Sequence, residues 1–160
     1  MEIFIDVEAA GGCPTLGEMT EFGCVAMDGD EFHGLLVEAE PDPENPAVPL
    51  ILPDAKRYDR QQVAREFEVW VKSKDGRPVM ISDNPAYDFQ WMNCFVWEEL
   101  GYGLLGHSAR RIGDYYAGLV GDWRKQSKWK KLRVTPHTHH PVDDAKGNFE
   151  AWNRIQMGER

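Results

Sequence analysis

The chain has 160 residues, with 18 Lys and Arg against 27 Asp and Glu, giving a formal net charge of −9. This length fits one domain, residues 1–160, around one core, and the acidic balance excludes unselective attraction of polyanions to the whole surface. No apolar run approaches the roughly 20 residues that a membrane span needs, and Met1 to Asp6 lack the basic flank and apolar stretch of a signal peptide, so a cytoplasmic, membrane-free protein is expected.

Residues Glu2 to Glu8 carry Ile3 and Ile5 among strand formers and read as a buried first strand. A Gly/Pro turn follows from Ala10 to Gly17. Glu21 to Met27 and Phe32 to Glu38 read as two more strands joined at Asp28-Gly29-Asp30, a hairpin signal. The first three strands therefore form an antiparallel meander. Glu40 to Pro53, rich in proline and acids, reads as an extended surface loop. Asp59 to Lys74 has Val63, Phe67, Trp70 and Val71 at helical spacing, with Asp59 as a cap. A short strand, Pro78 to Ser82, runs into Asp83-Asn84-Pro85. Helices are expected over Ala86 to Leu100, Ile112 to Trp123 and Val142 to Ile155. This order predicts an α/β fold, a central mixed β-sheet flanked by helices.

Cys13, Cys24 and Cys94 have no metal-ligand spacing and read as reduced thiols, with Cys24 and Cys94 expected in apolar surroundings. The positive charge is segregated. Arg124, Lys125, Lys128, Lys130, Lys131 and Arg133 fall in one acid-free stretch with Trp123 and Trp129 interleaved. Such a stretch meets phosphates in nucleic-acid-binding proteins; the plain alternative is a solvated loop that balances an acidic chain.

Three distant patterns carry the candidate chemistry. Asp6-Val7-Glu8 ends the first strand, and residues two apart on a strand share a face, so both carboxylates project together. Paired acids there are costly unless a cation compensates them. Ser82-Asp83-Asn84-Pro85-Ala86-Tyr87-Asp88-Phe89 spans a strand-to-helix junction and places Asp88 in the first helical turn, near its positive end. His139-His140-Pro141-Val142-Asp143-Asp144-Ala145 opens the last helix, with His139 on the incoming loop. A histidine there takes a proton from water near neutral pH. Each pattern alone is also read as ordinary surface acids or an exposed histidine loop. His137, His139 and His140 suggest zinc, but no cysteine or fourth nearby ligand completes a site in the sequence.

In order, the three patterns resemble the DEDD superfamily of exonucleases, which have a ribonuclease H-like fold. Asp6 and Glu8 match its Asp-x-Glu strand motif. Asn84, Tyr87 and Asp88 match its Asn followed by an aromatic-Asp pair. His139, Asp144 and Ala145 match the His-x4-Asp motif of the DEDDh branch; the sister branch has Tyr four residues before that Asp, where His140 stands here. The resemblance spans nearly the whole chain. It implies a 3′→5′ exonuclease in which Asp6, Glu8, Asp88 and Asp144 hold two divalent cations, Mg²⁺ or Mn²⁺, and His139 is the general base. Oxygen ligands suit those ions better than zinc.

Many members have Thr after Asp-x-Glu, and Ala9 stands here, so a hydroxyl near the terminal nucleotide is missing. Leu16 or Met19 is then a candidate wedge against the terminal base, and Phe89 or Trp91 a candidate stacking platform, with core packing the alternative for at least one aromatic. Asn84 and Tyr87 border the same site, and Lys128, Lys130 and Lys131 are the candidate approach for the upstream strand. The compact size resembles small stand-alone exoribonucleases, which favours RNA over DNA as the single-stranded partner and suggests a homodimer. A DNA exonuclease and a non-catalytic nucleic-acid-binding module are the competing readings.

Overall fold

The computed structural model describes all 160 residues. Its sheet has five strands, β1 (Glu2–Ala10), β2 (Glu18–Ala26), β3 (Glu31–Leu35), β6 (Val79–Ser82) and β7 (Ala109–Arg111), in the order β3-β2-β1-β6-β7. β1 is central. It pairs antiparallel with β2 and parallel with β6; β2–β3 is antiparallel and β6–β7 parallel. The helices are α1 (Arg60–Lys72), α2 (Pro85–Leu100), α3 (Ile112–Val120) and α4 (Pro141–Gln156). No helix is long and apolar enough to cross a membrane.

β1 is buried on both faces, which explains its apolar composition. Ile3, Ile5 and Val7 face a core shared with Phe67 of α1 and Met92 and Phe95 of α2. Phe4 points the other way, into a second core with Ile112, Trp152 and Ile155 from α3 and α4. Alternation along the strand puts Asp6 and Glu8 on the Phe4 face, toward α4.

α4 comes unusually close to the sheet. A Cβ on Gly23 would lie 2.2 Å from the Pro141 carbonyl carbon and the Val142 nitrogen. Gly23 is the cross-strand partner of Asp6. The missing side chain on β2 thus lets the start of α4 rest beside the first acidic pair.

Asp59 caps α1 as expected, its side chain accepting from the Gln62 N–H at 3.1 Å. Several boundaries differ from the sequence reading. β2 begins at Glu18, three residues early, and β3 ends at Leu35. The acidic, proline-rich segment forms a two-stranded hairpin, β4 (Glu40–Pro41) with β5 (Pro49–Leu50). β7 was not expected: its sequence, Ala-Arg-Arg, has no apolar alternation because it is an edge strand with two exposed arginines. α3 stops at Val120, where Gly121 adopts φ 67° and caps it, and Trp123 begins a separate 3₁₀ turn. Cys24 is buried, but Cys94 is only partly buried, its thiol donating to Glu98 at 3.2 Å.

Candidate active site and metal centre

The carboxyl ends of the adjacent parallel strands β1 and β6 open into a cleft, the place where open α/β sheets commonly bind ligands. β1 delivers Asp6 and Glu8, which are 8% and 9% exposed. An irregularity in the β1–β2 register follows Glu8, and the Thr20 hydroxyl donates to the Glu8 carbonyl at 3.0 Å. This bulge re-aims the end of the strand over the cleft.

β6 ends at Ser82, and Pro85 opens α2, a position where the missing proline N–H costs nothing. The Asn84 carbonyl accepts from Tyr87 N–H at 2.9 Å and Asp88 N–H at 3.1 Å, closing the first turn. The Ser82 hydroxyl donates to Asp88 Oδ2 and accepts from Asn84 N–H. Asp88 is thereby held facing β1. The Tyr87 hydroxyl donates to the carbonyls of Ala9 and Gly11, each at 3.3 Å, tying α2 to the loop after β1. Burial, then the Glu8 charge, pushes the Tyr87 phenol up to about 12, so it remains a neutral donor.

α4 delivers Asp144, which is fully buried. Its Oδ1 accepts from Thr138 N–H at 3.0 Å and its Oδ2 from His139 N–H at 3.1 Å. One carboxylate therefore shapes the whole incoming loop. His139 adopts φ 60°, the left-handed region that few non-glycine residues occupy. Its Nδ1 lies 3.9 Å from Glu8 Oε1. His137 Nδ1 lies 2.7 Å from Asp144 Oδ2, and the two imidazole rings meet edge to face with centroids 4.4 Å apart.

The carboxylates form two triads that share Asp6. Oxygens of Asp6, Glu8 and Asp144 lie within 4.8 Å of one another, as do those of Asp6, Asp83 and Asp88. Burial pushes Asp6 well above the ordinary carboxylate range, reinforced by the charges of Asp88 and Asp144. Burial likewise raises Glu8 to about 8, with Asp144 the next contributor. Asp88 is raised to about 8, again mainly by burial, against the opposing Ser82 hydrogen bond. Lysine and arginine reach this group only at Asp83, where Lys130 Nζ is 2.9 Å and an Arg133 nitrogen 3.6 Å from Oδ2. The other four acids lack a fixed cation. Buried or half-buried hard oxygens in two triads with one shared, buried member are a donor set that fits two hard divalent cations.

Asp83 and His137 also belong to this site, although the sequence assigns neither of them a role in it. The signal for Asp83 was its place directly after a strand that ends beside β1; for His137 it was only proximity to His139. The cleft has a volume of about 530 Å³ and is also walled by Asn84, Ala9 and, from the β4–β5 hairpin, Ala47 and Val48. The acidic, proline-rich segment thus borders the site rather than serving as a remote surface loop.

Several expected substrate contacts lie elsewhere. Leu16 is 86% exposed on the loop after β1 and does not line the cleft. Met19 and Trp91 are buried core residues, and Phe89 packs against the same core. On α2 the Tyr87 ring reaches the cleft, whereas Phe89 and Trp91 pack with the core. The basic stretch is also divided. Trp129 is buried, Arg133 packs its guanidinium over that ring, and Lys130 pairs with Asp83, whereas Lys128 and Lys131 are exposed.

The mixed five-stranded sheet with flanking helices is a ribonuclease H-like fold. The chain resembles a solved, product-bound structure of exonuclease I, with a TM-score of 0.63 and 12% identity over 98% of this chain. The match covers 43% of that protein, so this chain spans less than half its length. No family model and no curated protein sequence matches the chain.

Proposed function

We propose that this protein is a metal-dependent 3′→5′ exonuclease of the DEDDh type, acting on single-stranded nucleic acid, with RNA preferred over DNA. The observation that carries this reading is the pair of carboxylate triads sharing the buried Asp6, with His139 beside Glu8. The exonuclease I fold likeness supports it. The RNA preference rests on the sequence resemblance to compact exoribonucleases.

Asp6, Glu8, Asp88 and Asp144 would hold two Mg²⁺ or Mn²⁺ ions, with Asp83 beside Asp6 and Asp88 as a further donor. When bound, such ions offset the phosphate charge, acidify the attacking water and stabilise the leaving oxygen. The protein supplies the remaining parts. His139 takes the proton as water attacks phosphorus and the bond from phosphorus to the 3′ oxygen breaks. Glu8 Oε1 stands 3.9 Å from its Nδ1, so the ring sits directly beside the carboxylate group. Asp144 holds the loop backbone, so it fixes where that imidazole can reach. The neutral Tyr87 phenol anchors the cleft wall at Ala9 and Gly11.

The test is incubation of 5′-labelled single-stranded RNA and DNA oligomers with Mg²⁺, Mn²⁺ or EDTA. Stepwise shortening from the 3′ end with metal, and none in EDTA, is expected, with RNA the faster substrate. Inertness toward both polymers with both metals would refute the enzyme; faster DNA cleavage would overturn the RNA preference alone.

A further inference from the structure

The loop before α4 has three histidines, and the tertiary structure separates them. His137 and His139 turn to the carboxylate centre, but His140 turns the other way. It meets Glu21 of β2 and His33 of β3, with one candidate ligand atom from each residue lying within 4.8 Å of the other two. The His33 Nε2 is 2.6 Å from Glu21 Oε2, and the His33 and His140 rings have centroids 5.3 Å apart.

We propose that Glu21, His33 and His140 form a second metal site, distinct from the carboxylate centre and selective for a borderline transition metal such as Zn²⁺. Two imidazoles and one carboxylate are a donor set that zinc accepts with a fourth position left to water. Mg²⁺ disfavours it, because that ion wants oxygen ligands in octahedral array. The three donors come from different elements, yet rigid features hold them together. Glu21 and His33 lie on adjacent paired strands. His140 is the residue preceding the helix start that Gly23 admits against β2. One turn into the helix, Lys146 Nζ bonds Glu31 at 2.9 Å, fastening α4 to the start of β3. Asp143 Oδ2, 3.8 Å from His140 Nδ1, adds negative charge that favours a cation beside that ring.

The site has a consequence for its neighbour. Glu21 is the cross-strand partner of Glu8, and His140 follows His139 directly. Zinc on this trio would remove a negative charge from beside Glu8 and clamp the loop that carries His139 to the sheet. The inference does not depend on nuclease activity, since the site is defined by its own ligands.

Zinc titration calorimetry on the full chain in saturating Mg²⁺ tests it, together with visible absorption of Co²⁺ as a coordination probe. One equivalent of Zn²⁺ and a tetrahedral Co²⁺ spectrum are expected. His33→Gln and His140→Gln should each weaken Zn²⁺ by at least the roughly 10–100-fold that loss of a mere supporting group costs. His33 and His140 are exposed, and an unchanged circular dichroism spectrum will show that the fold is kept. The double variant His137→Ala/His139→Ala should retain the Zn²⁺ equivalent. Unaltered affinity in His33→Gln, or loss that follows His137 and His139 instead, would overturn the proposal.

Discussion

Asp6 belongs to both carboxylate triads, so it is the residue whose charge matters most. Asp6→Asn is expected to abolish most exonuclease activity with little change of melting temperature in EDTA, because the neutral amide resembles the protonated carboxyl that burial favours. A variant that keeps full activity would remove Asp6 from the ligand set. His139→Ala should lower turnover by roughly 10²–10⁴, the usual worth of acid–base catalysis. His140→Ala should be far milder. His137→Ala should fall between them, since its ring touches Asp144 rather than solvent alone; single-turnover rates at saturating metal will order the three. The raised acids also fix the sign of a pH effect. Glu8 and Asp88 titrate near about 8 in the folded chain, against ordinary values of 4.5 and 3.8. Through that window the metal-free folded state binds more protons than the unfolded chain, so stability is lost as pH rises. Melting temperature in EDTA should therefore drop between about pH 5 and about pH 8. Added Mg²⁺ should restore it most at the upper end, where the deprotonated ligands bind the ion to the folded state alone. A slope that is the same in Asp88→Asn as in the wild type would contradict this assignment.

At the scale of elements, the packing of α4 on β2 decides whether a site exists. Asp144 and the His139 loop enter the cleft because Gly23 leaves room for the Pro141–Val142 backbone. Gly23→Ala puts a methyl group into that backbone, and backbone cannot rotate aside as a side chain does. A loss of about 1–3 kcal/mol or more is expected, the range for overpacking, measured by urea denaturation. Activity should fall further than stability alone explains, because the helix start carries Asp144 away from Asp6. Wild-type turnover in Gly23→Ala at a temperature where it remains folded would show that the contact is not what positions the site. By contrast, the Ser82–Asp88 and Tyr87–Ala9 links hold α2 locally and survive small shifts of α4.

At the scale of the molecule, an acidic chain must still admit a polyanion. Its net charge of −9 repels nucleic acid at long range, and the cleft without cations adds to the repulsion. The 3₁₀ segment Lys128–Leu132 lies beside Asp83 at the edge of the carboxylate group, with Lys130 already paired there. Replacing Lys128, Lys130 and Lys131 by Ala is expected to weaken binding of long single strands and flatten its salt dependence, since fewer counterions are released. Cleavage of a dinucleotide should change little. Binding measured across a salt series, using a long oligomer and metal-loaded Asp144→Asn protein to prevent cleavage, makes the comparison. Superimposable lines for the two lysine states would place the strand's path elsewhere.

Most of the elements and the β1–β2–β3 meander were legible in the sequence because the signals are local. Alternation in Ile3 and Ile5, the Asp28-Gly29-Asp30 turn, the Asp59 cap and the Asn84-Pro85 junction each depend on residues a few positions apart. The Asp-x-Glu pair could be placed on one face because strand periodicity alone requires it. Chain neighbours, however, do not determine what lies across a cleft. Trp91 and Phe89 were readable as stacking residues, yet the seating of α2 against the rest of the fold packs both with the core. Ala109-Arg110-Arg111 lacks any apolar pattern, and only pairing with β6 makes it a strand. Asp83 became part of the carboxylate group because β6 runs parallel to β1 with Ile81 opposite Phe4, which brings Asp83 level with Asp6. The histidine run looked like one cluster in sequence, whereas the left-handed turn at His139 and the seat of α4 on Gly23 send its members to two different sets of partners. Sequence order determined which chemical groups were available and on which elements; long-range packing decided which of them meet, because contact depends on interlocking surfaces that no single segment contains.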